Sequence, residues 1–561
     1  MRSGATLRGA MLVVGPVTLL GAAGCVNDLT DDEPVETVAQ ADNAPGAPVI
    51  DVRRSLAVID LPTLSAVDEH GSPRFSLERV LARLLATSGA SMNGGPKELY
   101  ARLFDTNNTK AQGFVADGQH CDDTKDAGGN PVLNGFPIQC PRQEGVLADL
   151  TTHDPFCSGP TGCDPYSPVA IINRFDLAPP DGRTCGQYRI VFGKGSGGET
   201  PVAGAGNHVP FDRNLIIFEA VLPNPRPDQG LAGCAPVVEH WAGLSAQATP
   251  AQRGKALDRF FFKGISGFEP AVKFSHYLGT SIPLTGVPLS GQIRTNQFMF
   301  TVGQQAWQLH ELNLERVCPD VHKPCIARVR QVTAKINPAA SLFDETDTRP
   351  LSLAFRDPGT PRGFFSQIAT LAREDVTTIS MDVLDPQFST AQSTSSPTIN
   401  LPRLDDTNYN VFFDPAGPFA ANIQTKLNAM GSALTPTQIV RRAQTQACAG
   451  CHELSTTTGP IFGGAVGANQ LGGGLVWPDV AKGGPAVGFL QAFAQTSEVN
   501  LQPIDPASAV VCDTACTANP QTCACEWVIS PAMTDVFLPA RKARMAAFLA
   551  SHPDGPHGGD D

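Results

Sequence analysis

Runs of Lys or Arg are missing from this 561-residue chain, whose formal net charge is −13 at pH 7. That balance excludes a surface that holds nucleic acid through its phosphates. Beyond Gly9–Gly24, no stretch stays apolar long enough to read as a membrane helix. No H-E-x-x-H metal-ligand pair and no G-x-S-x-G nucleophile turn occur. Gly193–Gly198 follows a strand-like run but lacks the G-K-[ST] ending of a phosphate loop, so it reads as a hairpin connection. Asp122–Asp126 lacks both the Gly and the closing Glu of a calcium loop. His208, His240, His276 and the His310-Glu311 pair have no companion ligands in sequence and read as structural groups. No catalytic residue is expected from any of these stretches.

What is present is a core-forming chain rich in turns. Hydrophobic residues make up 42%, enough for substantial burial, and 54 Gly with 48 Pro point to many loops rather than a helical bundle. A chain of this length holds about three domains of ordinary size, or one large and one small.

The fifteen cysteines carry the most specific signal. Cys448-Ala449-Gly450-Cys451-His452 is the C-x-x-C-H spacing of a c-type haem attachment site. On a helical turn, positions three and four apart share a face. Two thiols can therefore form thioethers with the two haem vinyl groups while the next residue, His452, reaches the iron. The motif occurs once, so one covalent haem c is expected and a dihaem peroxidase mechanism is disfavoured. Setting aside Cys25, Cys448 and Cys451 leaves twelve cysteines, an even number that suits disulfides in an oxidising compartment. Cys121 and Cys140, Cys157 and Cys163, and Cys318 and Cys325 are close in sequence, and Cys185 with Cys234 is a further candidate pair. Cys512, Cys516, Cys523 and Cys525 form a terminal cluster. Structural disulfides suit it better than zinc, because Cys-x-Cys is poor zinc geometry.

The start of the chain reads as an export signal. Arg2 and Arg8 precede the small, apolar Gly9–Gly24. Leu20-Gly21-Ala22-Ala23-Gly24-Cys25 resembles a bacterial lipobox, with Ala22 in the place of the usual Leu. The resemblance implies a signal peptide over 1–24, Cys25 as a lipid anchor to the membrane, and a cell-envelope location. Residues 25–50 are acidic and poor in aromatics, and read as a solvated tether.

Leu77, Val80, Leu81, Leu84 and Leu85 have helical spacing, and Pro96–Phe104 reads as a second short helix. Strands are predicted at Val169–Ile172, Gln187–Phe192, Leu215–Val221, Gln297–Val302, Trp307–Leu314 and Ile326–Thr333. Helices are predicted at Gln252–Phe262, Gly363–Arg373, Pro485–Thr496 and Leu538–Ser551. The fold class is therefore α+β: a large antiparallel-β-rich body over 51–430 with peripheral helices, then a mainly α domain over 431–553 and a disordered tail over 554–561. Thr435-Pro436-Thr437-Gln438 is a capping-box helix start that leads to Cys448.

Two resemblances add to this reading. Residues 100–315 resemble a group of uncharacterised exported bacterial proteins through Leu103–Asn107, Asn173–Pro179, Cys185–Phe192 and Phe218–Pro225; the likeness implies a unit that precedes a C-x-x-C-H segment and supplies no activity. A helix entering C-x-x-C-H, Ile529-Ser530-Pro531-Ala532-Met533 and a final amphipathic helix resemble a class I monohaem cytochrome c. That likeness implies His452 and Met533 as iron ligands and a one-electron carrier with a redox partner protein. Met533 also reads as a packing methionine. Two alternatives stand beside the carrier: a disulfide-rich surface lipoprotein in which haem or a Cys448–Cys451 disulfide is structural, and a haem enzyme with open iron. Arg541, Lys542 and Arg544 read as a solvated helix face.

Overall fold

The computed structural model describes residues 49–156, 165–194, 200–201, 208–209, 214–278, 290–301, 304–318, 320, 324–381, 384–395, 409–451, 470–471, 475–476, 496–512, 516, 519–530 and 533–552. The signal segment, Cys25, Cys157, Cys163, His452, residues 485–495 and the tail lie outside them. Among the described residues, no helix is long and apolar enough to cross a membrane.

The strands are β1 (Ala57–Val58), β2 (Tyr166–Arg174), β3 (Thr184–Lys194), β4 (Asn214–Pro223), β5 (Gln292–Thr301), β6 (Gln304–Val317), β7 (Ile326–Val332), β8 (Gln392–Ser395), β9 (Thr496–Pro503) and β10 (Cys525–Ile529). The helices are α1 (Leu77–Ser88), α2 (Gly95–Asp105), α3 (Ala235–Gly243), α4 (Pro250–Asp258), α5 (Pro350–Arg356), α6 (Pro418–Ala429), α7 (Pro436–Gln446) and α8 (Leu538–Ser551). The fold is α+β. Strands β1 to β7 lie side by side in chain order in one eight-stranded sheet, with β8 also paired to β6. Every pairing in it is antiparallel. Gly193 and Lys194 close β3, where Gly193 pairs with Leu215 of β4; the rest of the Gly193–Gly198 stretch lies outside the described residues.

Alternation along the strands gives the sheet two unlike faces. Ile171, Ile190, Phe218, Ile293 and Leu312 are consecutive cross-strand partners, a row of apolar side chains running across five strands. One residue further along β3 the register pairs Arg189 with Glu219, and on β5 it pairs Arg294 with Glu311. The first face is the floor of a core; the second is charged.

The apolar face packs on α1, which buries Leu77, Val80, Leu81 and Leu84 and is capped by Ser76, and on α3. Tyr188 of β3 stacks on Trp241 of α3 at 5.4 Å and meets Phe260 edge-on at 4.7 Å. The Cys185–Cys234 disulfide ties β3 to the residue before α3. Each such large side chain contributes roughly 1.5–3 kcal/mol by leaving water.

The closing segment, residues 496–552, packs chiefly in this first core, with Val536 and Phe537 also touching the second. The Trp527 amide donates to the Ile59 carbonyl at 3.1 Å, and Glu526 pairs with Arg53. Leu538, Met545 and Phe548 of α8 are buried in the same core, with Phe548 edge-on to Phe175 at 4.9 Å. A second core is drawn from residues 339–447 with Phe136. Its centre is Phe343, stacked on Tyr409 at 4.3 Å and edge-on to Phe355 and Phe364 at 5.0 and 5.2 Å. Helix α7 adds Ile439, Val440 and Ala443 to it. The capping box at the start of α7 forms as expected, with Thr435 and Gln438 bonding each other's backbone amides.

Helix limits follow the predictions with three differences. The helix expected at Gln252–Phe262 is α only to Asp258 and continues as a π turn, Arg259–Lys263. Gly363–Arg373 is a 3-10 turn, Phe364–Gln367, followed by a single α turn, Ile368–Leu371. Thr496, expected to end a helix, opens β9 instead, where it pairs with Ile529.

Candidate functional site

Ala447 ends α7 in an extended conformation. The chain then makes one new turn, closed by the Cys451 amide donating to the Ala447 carbonyl at 2.8 Å. Cys448 and Cys451 stand three residues apart on that turn and so share a side. The two residues between them have local reasons. Ala449 is fully buried against Trp307 and Leu309 of β6, and its amide donates to the Ser393 hydroxyl of β8 at 2.8 Å. At Gly450 a Cβ would lie 1.7 Å from the Gln444 carbonyl oxygen, so only glycine fits.

The turn lies at a seam. Cys448 packs with Trp307, Leu309 and Ala449, on the sheet side. Cys451 packs on the second core. Both are thiols, outside the described disulfides. Burial pushes the Cys448 thiol up to about 12, against the pull of Arg294. It pushes the Cys451 thiol up to about 11, against Arg174 and Arg541. Both therefore stay protonated at neutral pH, and neither is a ready thiolate nucleophile.

Beneath the turn lies the charged face of the sheet. Trp307, Leu309 and Glu311 alternate with buried His310 along β6, so Glu311 points to the side that carries Ala449. Glu311 receives Arg294 at 2.6 and 2.9 Å. Arg294 also reaches Glu219 at 3.1 Å, as does Arg189. Lys335 donates to the side-chain oxygen of Gln292, whose amide donates to Glu219. At the β2 end, Asp176 takes a forked pair of bonds from Arg174 at 2.8–3.1 Å, and Arg541 of α8 approaches it at 3.6 Å.

These groups set one another's protonation. Burial alone would raise the Asp176 carboxyl, but Arg174 and Arg541 hold it down to about 2. Burial would likewise raise Glu219; Arg189 and Arg294 keep it below its ordinary value. The cations respond in the other direction. Burial lowers Lys335 to about 8, Arg541 to about 9 and Arg189 to about 10, with neighbouring arginines adding to each depression. Arg541 is therefore not part of a solvated helix face, as expected from sequence: its side chain is 10% exposed and turned to Asp176.

Met533 is 5% exposed and packed in the first core, at the start of the turn before α8. Cys25 and His452 lie outside the described residues. Of the histidines read as structural, His276 and His240 lie in packed surroundings. His276 is buried with Nδ1 3.1 Å from the Ala271 carbonyl, and His240 stacks on Phe260 at 5.7 Å.

Cys121–Cys140, Cys185–Cys234 and Cys318–Cys325 are disulfides, as sequence proximity suggested; Cys157 and Cys163 lie outside the described residues. The terminal cluster forms Cys512–Cys525 and Cys516–Cys523. The sulfurs of Cys516, Cys523 and Cys525 lie within 4.8 Å of one another. Bonded in disulfides, they offer no thiolate to a metal.

Sequence reasoning missed the charged face. Its signal was single charged residues inside apolar runs, such as Arg189 in Gln187–Phe192 and Glu219 in Leu215–Val221. Compared with known protein families, curated proteins and solved structures, the chain matches none.

Proposed function

We propose that this chain is an exported, lipid-anchored c-type cytochrome that carries one electron on a single covalent haem. The observation that carries the reading is the pair of thiols, Cys448 and Cys451, three apart on one helical turn and directly followed in sequence by His452. The donor set suits haem c: two thiols for the vinyl groups and an imidazole for iron. The haem supplies an Fe(III)/Fe(II) couple. Cys448 and Cys451 would hold it, and His452 and Met533 would be the residues that ligate its iron. The five disulfides among the described residues suit an oxidising envelope compartment, with Cys25 as the anchor and 25–50 as the tether. The 431–553 segment then carries the haem as the cytochrome c-like part, its described residues packed in both cores with the body over 51–430, and a redox protein is the partner.

The burial of Met533 in the first core favours a second reading, in which that thioether packs, the iron keeps an open position and the protein is a haem enzyme.

The test is a haem stain and a pyridine haemochrome spectrum on denatured protein made in a host with c-type cytochrome maturation. One covalent haem per chain, lost in Cys448→Ala/Cys451→Ala, is expected. Absence of haem would overturn the cytochrome reading in favour of a surface-binding lipoprotein. Ferrous protein that resists carbon monoxide, with that resistance lost in Met533→Ala, supports the carrier; rapid carbon monoxide binding by the unaltered chain supports the open-iron enzyme.

A further inference from the structure

The charged face under the thiols is out of balance. Among the described residues it gathers five cations withdrawn from water, Arg174, Arg189, Arg294, Lys335 and Arg541, against three carboxylates, Asp176, Glu219 and Glu311, with exposed Arg544 at its rim. Charge withdrawn from water without a counter-charge is strongly unfavourable. Burial, with neighbouring arginines adding to it, lowers three of the five, Lys335 to about 8, Arg541 to about 9 and Arg189 to about 10, while the carboxylates keep Arg174 and Arg294 above their ordinary value.

The geometry shows which cations have capacity to spare. Arg189 and Arg294 each lie 3.1 Å from Glu219, and Arg294 is forked on Glu311. Arg174 is forked on Asp176. Arg541 comes second to that same carboxylate, at 3.6 Å. Lys335 bonds an amide oxygen, that of Gln292. Arg541 lies within electrostatic reach of Cys451, and Lys335 shares its neighbours Glu311 and Glu219 with Cys448.

We propose that this face of the sheet, through Arg541 and Lys335, is a binding site for a pair of carboxylates, and that the pair is the two propionates of the haem held by Cys448 and Cys451. The inference rests on the haem reading. A haem joined through its vinyl groups carries both propionates on the same ring, and their two negative charges match the surplus. The body then does more than position the haem segment: it supplies the counter-charge.

The test uses the full chain with haem attached, and the variants Arg541→Gln, Arg541→Lys and Lys335→Gln. Arg330→Gln, on the exposed Glu315 pair of β7, is the control. Haem stoichiometry, the propionate-bending bands in resonance Raman spectra and the pH dependence of the midpoint potential are read together. Expected are one haem per chain throughout, shifted bending bands in Arg541→Gln and Lys335→Gln but not in the control, and restoration in Arg541→Lys. The two Gln variants should also gain a pH-dependent potential between about pH 5 and 7, as a carboxyl that has lost its cation titrates nearer neutrality. Haem attached with bands and pH profile unmoved in both Gln variants would overturn the inference and leave the cytochrome reading intact. Bands of the unaltered chain that move when succinate is added would assign the site to a free dicarboxylate instead. A chain with no covalent haem would remove both, and the stain alone reveals that case. If Arg541→Gln fails to fold, Lys335→Gln carries the same comparison.

Discussion

The two cores are assembled from different kinds of sequence neighbourhood. The second takes nearly all its residues from 339–447, in short helices and turns around Phe343. The first joins a sheet whose strands span residues 57–332 to a closing segment at 496–552. Local assembly costs little loop-closure entropy, whereas the first core must close a loop of well over a hundred residues before its last contacts form. Cys448 rests on the sheet and Cys451 on the second core, so the paired thiols depend on both.

The comparison breaks most sharply at the second core's centre. Phe343→Ala removes the partner of Tyr409, Phe355 and Phe364 and should cost about 4–5 kcal/mol. Hydrogen exchange should show residues 339–447 opening first while β2–β6 stay protected; uniform loss of protection would mean one cooperative unit. Next comes the covalent tie of the first core. Cys185→Ala/Cys234→Ala frees a link with a sequence separation of 49 and should cost about 4 kcal/mol in denaturant unfolding. The corresponding change at Cys318–Cys325, with a separation of 7, should cost about 2.5 kcal/mol. Equal losses would show that native strain, not loop length, governs them.

The smallest effect concerns pH and sharpens the view of the charged face. Lys335, at about 8, and Arg541, at about 9, are less basic folded than unfolded, where they take 10.5 and 12.5. Between those values the unfolded chain binds more protons, so stability rises with pH. Lys335 is faced by Glu219, Glu311, Arg189 and Arg294. A chain produced without haem and carrying Cys448→Ala/Cys451→Ala, so that the two raised thiols do not oppose the trend, should gain on the order of 1 kcal/mol from pH 8 to 10, measured by urea unfolding. Lys335→Gln should flatten part of that rise; a fall in stability over the same range would contradict the assigned directions.

Much of the sheet could be read directly. Val169–Ile172, Leu215–Val221 and Ile326–Thr333 are rich in β-branched residues, and each lies in a strand. Helix α1 was legible from its leucine spacing and α7 from its capping box, since both signals are local. The C-x-x-C turn was legible for the same reason. The charged face was not. Arg174, Arg189, Arg294, Lys335 and Arg541 meet only through strand register and the docking of α8, and no local pattern encodes register between strands a hundred residues apart. The pairing within Cys512–Cys525 was hidden too, because four closely spaced cysteines allow three connectivities. Arg541 was misjudged because a basic residue on an amphipathic helix ordinarily faces water, whereas here the surface α8 meets carries Asp176.

The docking of the final helix also imposes an order of events. A polypeptide emerges N-terminus first, so the strands and the thiol turn exist before Trp527 can reach Ile59 or Phe548 can reach Phe175. Until then Asp176 has Arg174 but lacks Arg541. The charged face therefore acquires its last buried cation only when the end of the described chain has been made, so a chain stopped before residue 533 would leave that face one arginine short.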